Sequence, residues 1–84
     1  MSLADEQERG RRATAILSDP MLKEALHEIR NSYITAWSQS DDSDAELRER
    51  AFFLLRAVDA FEGHLKSVVT TGEMATRQIT DPYR

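Results

Sequence analysis

One apolar stripe constrains the fold of this 84-residue chain more than any other feature. Its members recur at alternating spacings of four and three residues: Leu47, Ala51, Leu54, Val58, Phe61, Leu65 and Val68. A repeat of about 3.5 residues returns an apolar side chain to the same side of a helix at every turn. The stripe therefore predicts a long helix that packs against another helix, and it predicts a partner surface rather than a chemistry.

The chain is predicted to form three to four helices, at about residues 3–17, 20–39, 44–71 and 73–80. Ser18-Asp19-Pro20 predicts a break and a restart, because proline disfavours helix in the residue before it and fits the first turn of the next helix. Ser43 and Glu46 have the spacing of a capping box at the start of the third helix. Gly72 is placed to end that helix.

Two further glycines lie inside predicted helices. Gly10 interrupts the first helix, whose polar first half is expected to fray. Gly63 lies inside the third helix and should cost about 1 kcal/mol relative to alanine. It is either a point of close approach by a neighbouring backbone or a tolerated surface glycine.

The second predicted helix carries a stripe with the same spacing as the third. Its members are Leu22, Leu26, Ile29, Tyr33 and Ala36 or Trp37. Folding the two helices back about the polar segment 38–44 brings the stripes together, with Leu26 opposite Val58. The predicted fold class is therefore all-α: a helical hairpin with an additional N-terminal helix, in a single domain over residues 1–84.

Apolar residues outside the stripe are more than one hairpin can bury. Either the first helix crosses Phe52 and Leu55 to complete a three-helix bundle, or a second chain covers them. The second arrangement is preferred, so the chain is predicted to be a homo-oligomer, a dimer built as a helical bundle. The predicted protein interface consists of Phe52, Phe53, Leu55 and Ala60.

Charge and cysteine content limit the function classes. The chain has 11 Lys and Arg against 15 Asp and Glu, which disfavours binding of nucleic acid by phosphate neutralisation alone. It has no cysteine, so it has neither a disulfide framework nor a thiolate zinc site. No apolar run approaches the roughly 20 residues that span a bilayer, so we expect a cytoplasmic location and no membrane contact.

Chemically active residue types are present without the spacing that a reaction needs. His27 and His64 have acidic neighbours, but neither belongs to an i, i+4 histidine pair. We therefore expect no metal site, no cofactor, no catalytic residue and no enzyme. Arg9, Arg11 and Arg12 are the candidates for contact with nucleic acid, although acidic residues are interspersed with them.

Four strings in the sequence occur together: D-P-x-L-x-x-A-L in residues 19–26, Tyr33 with Ala36-Trp37, R-E-R in 48–50, and V-V-T-T-G-E-M-A in 68–75. With them the chain resembles small helical proteins of tailed bacteriophages and prophages, over about residues 11–79. The resemblance implies a phage context, with a virion-associated location as the alternative to the cytoplasm, and it supplies no catalytic residues. Small terminase subunits are similar in size and helicity, but no clear helix-turn-helix is present here.

The predicted function is that of a non-enzymatic helical adaptor or assembly protein that self-associates and binds another protein. The alternative is a nucleic-acid-packaging or regulatory component, similar to a small terminase subunit, that uses the N-terminal arginines.

Overall fold

The computed structural model describes residues 1–81 and contains three helices. They are α1 (Leu3–Ser18), α2 (Pro20–Ser38) and α3 (Ala45–Thr80). No strand is found among residues 1–81, so the predicted all-α class is confirmed. Residues 82–84, which the predicted domain includes, lie outside the described residues.

The first turn of α1 is held by a capping box that the sequence analysis did not identify. The Ser2 hydroxyl accepts a hydrogen bond from the backbone N–H of Asp5 at 3.1 Å, and the Asp5 carboxylate accepts one from the backbone N–H of Ser2 at 3.3 Å. These bonds satisfy two of the N–H groups that a helix start leaves without partners. The structure is helical from Leu3, where fraying was expected.

The predicted break between the first two helices is confirmed, and it is one residue long. Asp19 has an extended backbone with ψ of 122°, and its N–H donates to the carbonyl of Ile16 at 3.1 Å. Pro20 is the first residue of α2, where its fixed φ suits the helix and its missing N–H costs nothing.

The turn between α2 and α3 spans residues 39–44 and differs from the prediction in its hydrogen bonds. Ser43 donates its hydroxyl and its backbone N–H to the Asp41 carboxylate, at 2.5 and 2.8 Å. The predicted capping box of Ser43 with Glu46 is wrong, because Ala45 is the first residue of α3 and Asp44 precedes it. Short polar side chains can cap a turn as well as a helix, and here Asp41 organises the turn.

The predicted end of the long helix at Gly72 is wrong. α3 runs without interruption for 36 residues to Thr80, so the predicted helices 44–71 and 73–80 are one element. No glycine among the described residues has a positive φ, so Gly72 does not adopt the left-handed conformation of a helix cap. It lies instead where α1 packs closely against α3.

The contacts within the chain form two compact units. In the first, α1 packs with the part of α3 from Glu62 onward, and in the second, Pro20–Phe61, α2 packs with the first part of α3 as a hairpin. The prediction of a single domain stays a prediction. Gly63 has open space around the position of a side chain, so the interpretation as a tolerated surface glycine holds.

Candidate protein-interaction surface

The hairpin of α2 and α3 carries an open apolar groove between its two helices. The residues that line it are all apolar or aromatic: Leu22, Ala25, Leu26, Ile29, Tyr33, Leu54, Ala57, Val58 and Phe61. Stripe residues of both helices lie along this one groove, as the predicted register requires. We refer to this set as the apolar groove.

The apolar groove is only partly covered by the chain itself. Ile29 is 40% exposed, Leu54 is 36% exposed and Phe61 is 51% exposed. Among the described residues, the buried hydrophobic side chains are three alanines and Leu26, and no large side chain is fully buried. A folded domain normally buries several large apolar side chains completely, at about 1.5–3 kcal/mol each. The hairpin therefore leaves a substantial part of its large apolar side chains exposed to solvent.

The four predicted interface residues divide between the two sides of the hairpin. Phe53 and Ala60 lie one helical turn on either side of Ala57, so they border the apolar groove on the outer side of α3. Phe52 and Leu55 lie two turns and one turn before Asp59, on the opposite side of α3. Phe52 and Phe53 are 54% and 60% exposed, and their ring centroids are 5.7 Å apart in an edge-to-face arrangement.

An ion pair between the two helices marks the side of the hairpin away from the apolar groove. The guanidinium of Arg30 lies 3.2 Å from the carboxylate of Asp59. At about 100° per residue, Asp59 lies about 160° around α3 from the groove residue Phe61, and Arg30 lies about 140° around α2 from the groove residue Ala25. We call this the ion-pair side, and Phe52 and Leu55 belong to it.

The first unit contains a close helix crossing that sequence reasoning missed. A Cβ atom added to Gly10 would lie 2.8 Å from the Cα of Gly72, and one added to Gly72 would lie 2.8 Å from the Cα of Gly10. Ala13 and Ala75 are 3% and 1% exposed beside the crossing. The signal was present as G-x-x-A-T, which occurs in both helices, at residues 10–14 and 72–76.

Both threonines of this repeated string bond back to the glycine of their own helix. Thr14 donates to the carbonyl of Gly10 at 2.9 Å, and Thr76 donates to the carbonyl of Gly72 at 3.0 Å. Gln7 also donates to the hydroxyl of Thr76 across the crossing at 3.1 Å. The threonine hydroxyls are satisfied locally, so this crossing is a packing contact between α1 and α3.

The three candidate nucleic-acid residues are not equivalent. Arg11 donates two hydrogen bonds to Glu8, at 2.7 and 2.9 Å, and this pair lowers the pKa of Glu8 and raises that of Arg11. Arg9 contacts the sulfur of Met1 at 3.2 Å. Arg9 and Arg12 border a shallow cleft that also contains His64.

Residues of other chemical classes do not gather into a site. Within residues 1–81, no group of three or more histidine, aspartate or glutamate side chains is arranged to hold a metal ion. The pKa of Asp41 is lowered, mainly by its hydrogen bond from the Ser43 hydroxyl, which is the turn contact described above. None of the three described helices combines the length and the apolar character needed to cross a membrane.

Comparison of the chain with protein-family models, with curated proteins and with solved structures found no match in any of the three.

Proposed function

We propose that this protein is a non-enzymatic assembly or adaptor subunit that self-associates through the apolar groove of its α2–α3 hairpin and in addition binds another protein. This is the kind of role that the resemblance to phage helical proteins implies. The observation that carries the proposal is the half-exposed groove, with Ile29, Leu54 and Phe61 left 36–51% exposed.

A second copy of the chain is the occupant that best explains the groove. A chain of this length lies near the lower size limit for a sufficient core, and small domains commonly add disulfides or oligomerise. Disulfides are excluded because the chain has no cysteine. A two-fold dimer would place the groove of one copy against the same groove of the other, so that each copy covers apolar side chains that the other leaves exposed.

The size of the groove sets the expected strength of the dimer. From Leu22 to Tyr33 it is about 17 Å long at 1.5 Å per residue, and two helices side by side are about 20 Å wide. The projected area is roughly 350 Å² per copy, below the ~800 Å² per partner of a standard stable interface. We therefore expect a dimer that forms and dissociates over an accessible range of concentration.

The ion-pair side would remain exposed in a dimer formed through the groove. Phe52 and Leu55 lie there and belong to the predicted protein interface. They are the candidates for the second part of the proposed role, contact with another protein.

The test is the molar mass of the full chain, measured by light scattering over a wide range of concentration. We expect a rise from monomer to dimer with concentration. Phe53→Glu should keep the chain monomeric, because it places a charge beside the groove where burial would be costly. Phe53 is 60% exposed, so the substitution leaves the fold of the monomer intact.

The matched control is Phe52→Glu, which makes the same chemical change at the adjacent residue on the ion-pair side. Phe52 is 54% exposed, and either variant removes the contact between the two rings, so the variants differ in the side of α3 that receives the charge. The control should dimerise like the unmodified chain. A monomer at every concentration would refute self-association, and equal disruption by both variants would refute the assignment to the groove.

The alternative function, a nucleic-acid-packaging or regulatory component, is favoured by one observation. Arg9, Arg12 and His64 border the same cleft of the first unit, so two guanidinium groups and an imidazole are close together. Neutralising two or three phosphates predicts a slope of about −2 to −3 in log K against log salt for double-stranded DNA. Arg9→Ala and Arg12→Ala should each weaken retention, whereas Arg11→Ala, which removes a side chain paired with Glu8, should have less effect. Absence of retention at low ionic strength would exclude this function.

A further inference from the structure

We propose that the ion-pair side of the hairpin binds an acidic amphipathic helix of a partner protein. The inference rests on the second part of the proposed function, contact with another protein, and it names the chemistry of that partner. It concerns the side of the hairpin that a dimer formed through the apolar groove leaves exposed. Self-association and this contact are therefore tested by different variants.

The cations of the hairpin are concentrated on the ion-pair side. Residues 20–61 contain five Lys and Arg. At about 100° per residue, Arg50 lies about 180° around α3 from Asp59, whereas the other four lie within about 60° of Arg30 on α2 or of Asp59 on α3. These four are Lys23, Arg30, Arg48 and Arg56. Among the helical residues of this range, Asp59 is the one acidic residue within the same limits, so this side is basic although the chain has a net charge of −4.

Exposed apolar side chains lie on the same side as these cations. Ile34 and Trp37 follow Arg30 by one and two turns on α2, and Phe52 precedes Asp59 by two turns on α3. The three apolar side chains are 52–54% exposed. In the register of the two helices, Phe52 lies about 3 Å along the axis from the level of Ile34. The ion-pair side therefore has an apolar strip that extends over both helices and has cations around it.

The cations of this side differ in the contacts that they make within the chain. Arg30 lies 3.2 Å from the Asp59 carboxylate, so it neutralises the acidic residue of this side. Arg48 donates to a backbone carbonyl of the turn and keeps its positive charge. Lys23 and Arg56 are exposed, one on each helix. They are the cations best placed to meet carboxylates of a partner.

A helix with an apolar stripe and acidic residues on both sides of that stripe complements this pattern. The stripe covers the exposed apolar side chains, and the carboxylates meet the cations of α2 and α3. One helix is about 10 Å wide and two packed helices are about 20 Å wide, so the partner helix lies between the outer margins of the hairpin. α2 has 19 residues and is therefore about 28 Å long, which a partner helix of similar length can follow.

An anionic bilayer offers the same two chemistries but fits this side less well. Glu24 lies about 160° around α2 from the buried Leu26, and Glu49 lies about 160° around α3 from the buried Ala51. Both acidic residues are therefore at the outer margins of the hairpin. A flat negative surface meets them there, whereas a single helix along the middle does not.

The probe is a synthetic helical peptide of three heptads, with leucine at positions a and d and glutamate on both sides of this stripe. Its fluorescence anisotropy is measured as the full chain is added. The control peptide carries lysine in place of every glutamate. We expect the glutamate peptide to bind at least about tenfold more tightly than the lysine peptide, and to be released as salt screens the charges.

Paired variants locate the contact on the hairpin. Phe52→Glu should weaken binding of the glutamate peptide about tenfold or more, and Phe53→Glu should leave it unchanged, which is the reverse of their expected effects on the dimer. Arg56→Glu should weaken binding about fivefold. Arg50→Glu makes the same change on the groove side of α3 and should have no effect.

Preference for the glutamate peptide, with losses confined to Phe52→Glu and Arg56→Glu, supports the assignment. No binding, equal binding of both peptides, or a loss of binding in Phe53→Glu overturns it. Sedimentation of the chain with phosphatidylserine vesicles without peptide binding would assign this side to a membrane, and loss of the dimer in Phe52→Glu alone would assign it to a second copy; either result also overturns it.

The molar mass of the unmodified chain tests self-association separately. A dimer that does not bind the glutamate peptide overturns this inference and leaves self-association standing. A chain that is monomeric at every concentration and binds the glutamate peptide refutes self-association and supports this inference.

Discussion

Substitution of Gly72 by alanine tests whether the contact between α1 and α3 determines the packing of the first unit. The added Cβ would lie 2.8 Å from the Cα of Gly10 and 3.1 Å from the carbonyl oxygen of Glu6. Carbon atoms in ordinary contact are about 3.5–4.0 Å apart, so the two backbones must separate by roughly an ångström. Because both neighbours are backbone atoms, no side-chain rotation can relieve the overlap.

Two opposing terms set the expected size of the effect. Alanine is favoured over glycine inside a helix by about 1 kcal/mol, which would stabilise the variant. Inserting a methyl group into a tight contact costs about 1–3 kcal/mol, and separation of the helices would also expose Ala13 and Ala75, which are 3% and 1% exposed. We expect Gly72→Ala to lower the free energy of unfolding by roughly 0–2 kcal/mol.

Gly63→Ala is the matched control, because it makes the same change in the same helix. A Cβ at Gly63 meets no atom within 4 Å, so the helix-propensity term acts alone and the variant should be stabilised by about 1 kcal/mol. The predicted difference between the two variants is therefore about 1–3 kcal/mol.

The assay is urea unfolding followed by far-ultraviolet circular dichroism. All variants must be compared at one chain concentration, because self-association makes apparent stability depend on concentration. If Gly72→Ala is stabilised as much as Gly63→Ala, then the close approach of α1 to α3 does not constrain the fold and the reasoning is refuted.

Three further predictions concern hydrogen bonds and charges. Asp59→Asn should lower the free energy of unfolding by about 0.2–1 kcal/mol, because it removes the ion pair with Arg30. Salt screens such a pair, so this loss should be smaller in high salt. A loss that does not depend on salt would point to another cause. Ser2→Ala should lower the free energy of unfolding by about 1 kcal/mol, measured by the same urea titration, because it removes the capping hydroxyl of α1; no change would show that the cap is unimportant. The pKa values of Asp5 and Asp41 are lowered from 3.8, mainly by hydrogen bonds from Ser2 and Ser43. Each carboxylate therefore stabilises the fold fully at pH values above 3.8, and this contribution is lost as the pH falls through the lowered pKa. Acid titration of the corresponding asparagine variants should show a smaller loss of stability than the unmodified chain, and an equal loss would contradict the assignment.

Helix positions could be predicted from the sequence because periodicity and proline chemistry act locally. The 3.5-residue stripe and Pro20 place α2 and most of α3 correctly. Predictions failed where a residue has two uses that the local sequence does not distinguish. Gly72 fits a helix end as well as a close helix crossing, and only the presence of Gly10 on the neighbouring helix decides between them.

The four predicted interface residues are not among those that line the apolar groove, whose residues belong mostly to the stripes predicted to join the two helices. An apolar excess around Phe52 and Phe53 is visible in the sequence, since no hairpin can bury residues all around a helix. Which of them borders the groove depends on the rotation of α3 against α2. That rotation is set by Ala51, which is 2% exposed, and by the pairing of Arg30 with Asp59 on the other side.

The two units bury their helix contacts in different ways, and this difference bears on the proposed function. In the first unit, small residues lie where α1 and α3 cross, so the backbones of the two helices are in contact at Gly10 and Gly72. The hairpin instead has large side chains such as Ile29 and Phe61 along an open groove. Small residues let two helix backbones come into contact, whereas large side chains between two helices hold them apart and leave an apolar surface that further helices can cover. That difference in side-chain size is the reason why we propose self-association through the hairpin and not through the first unit.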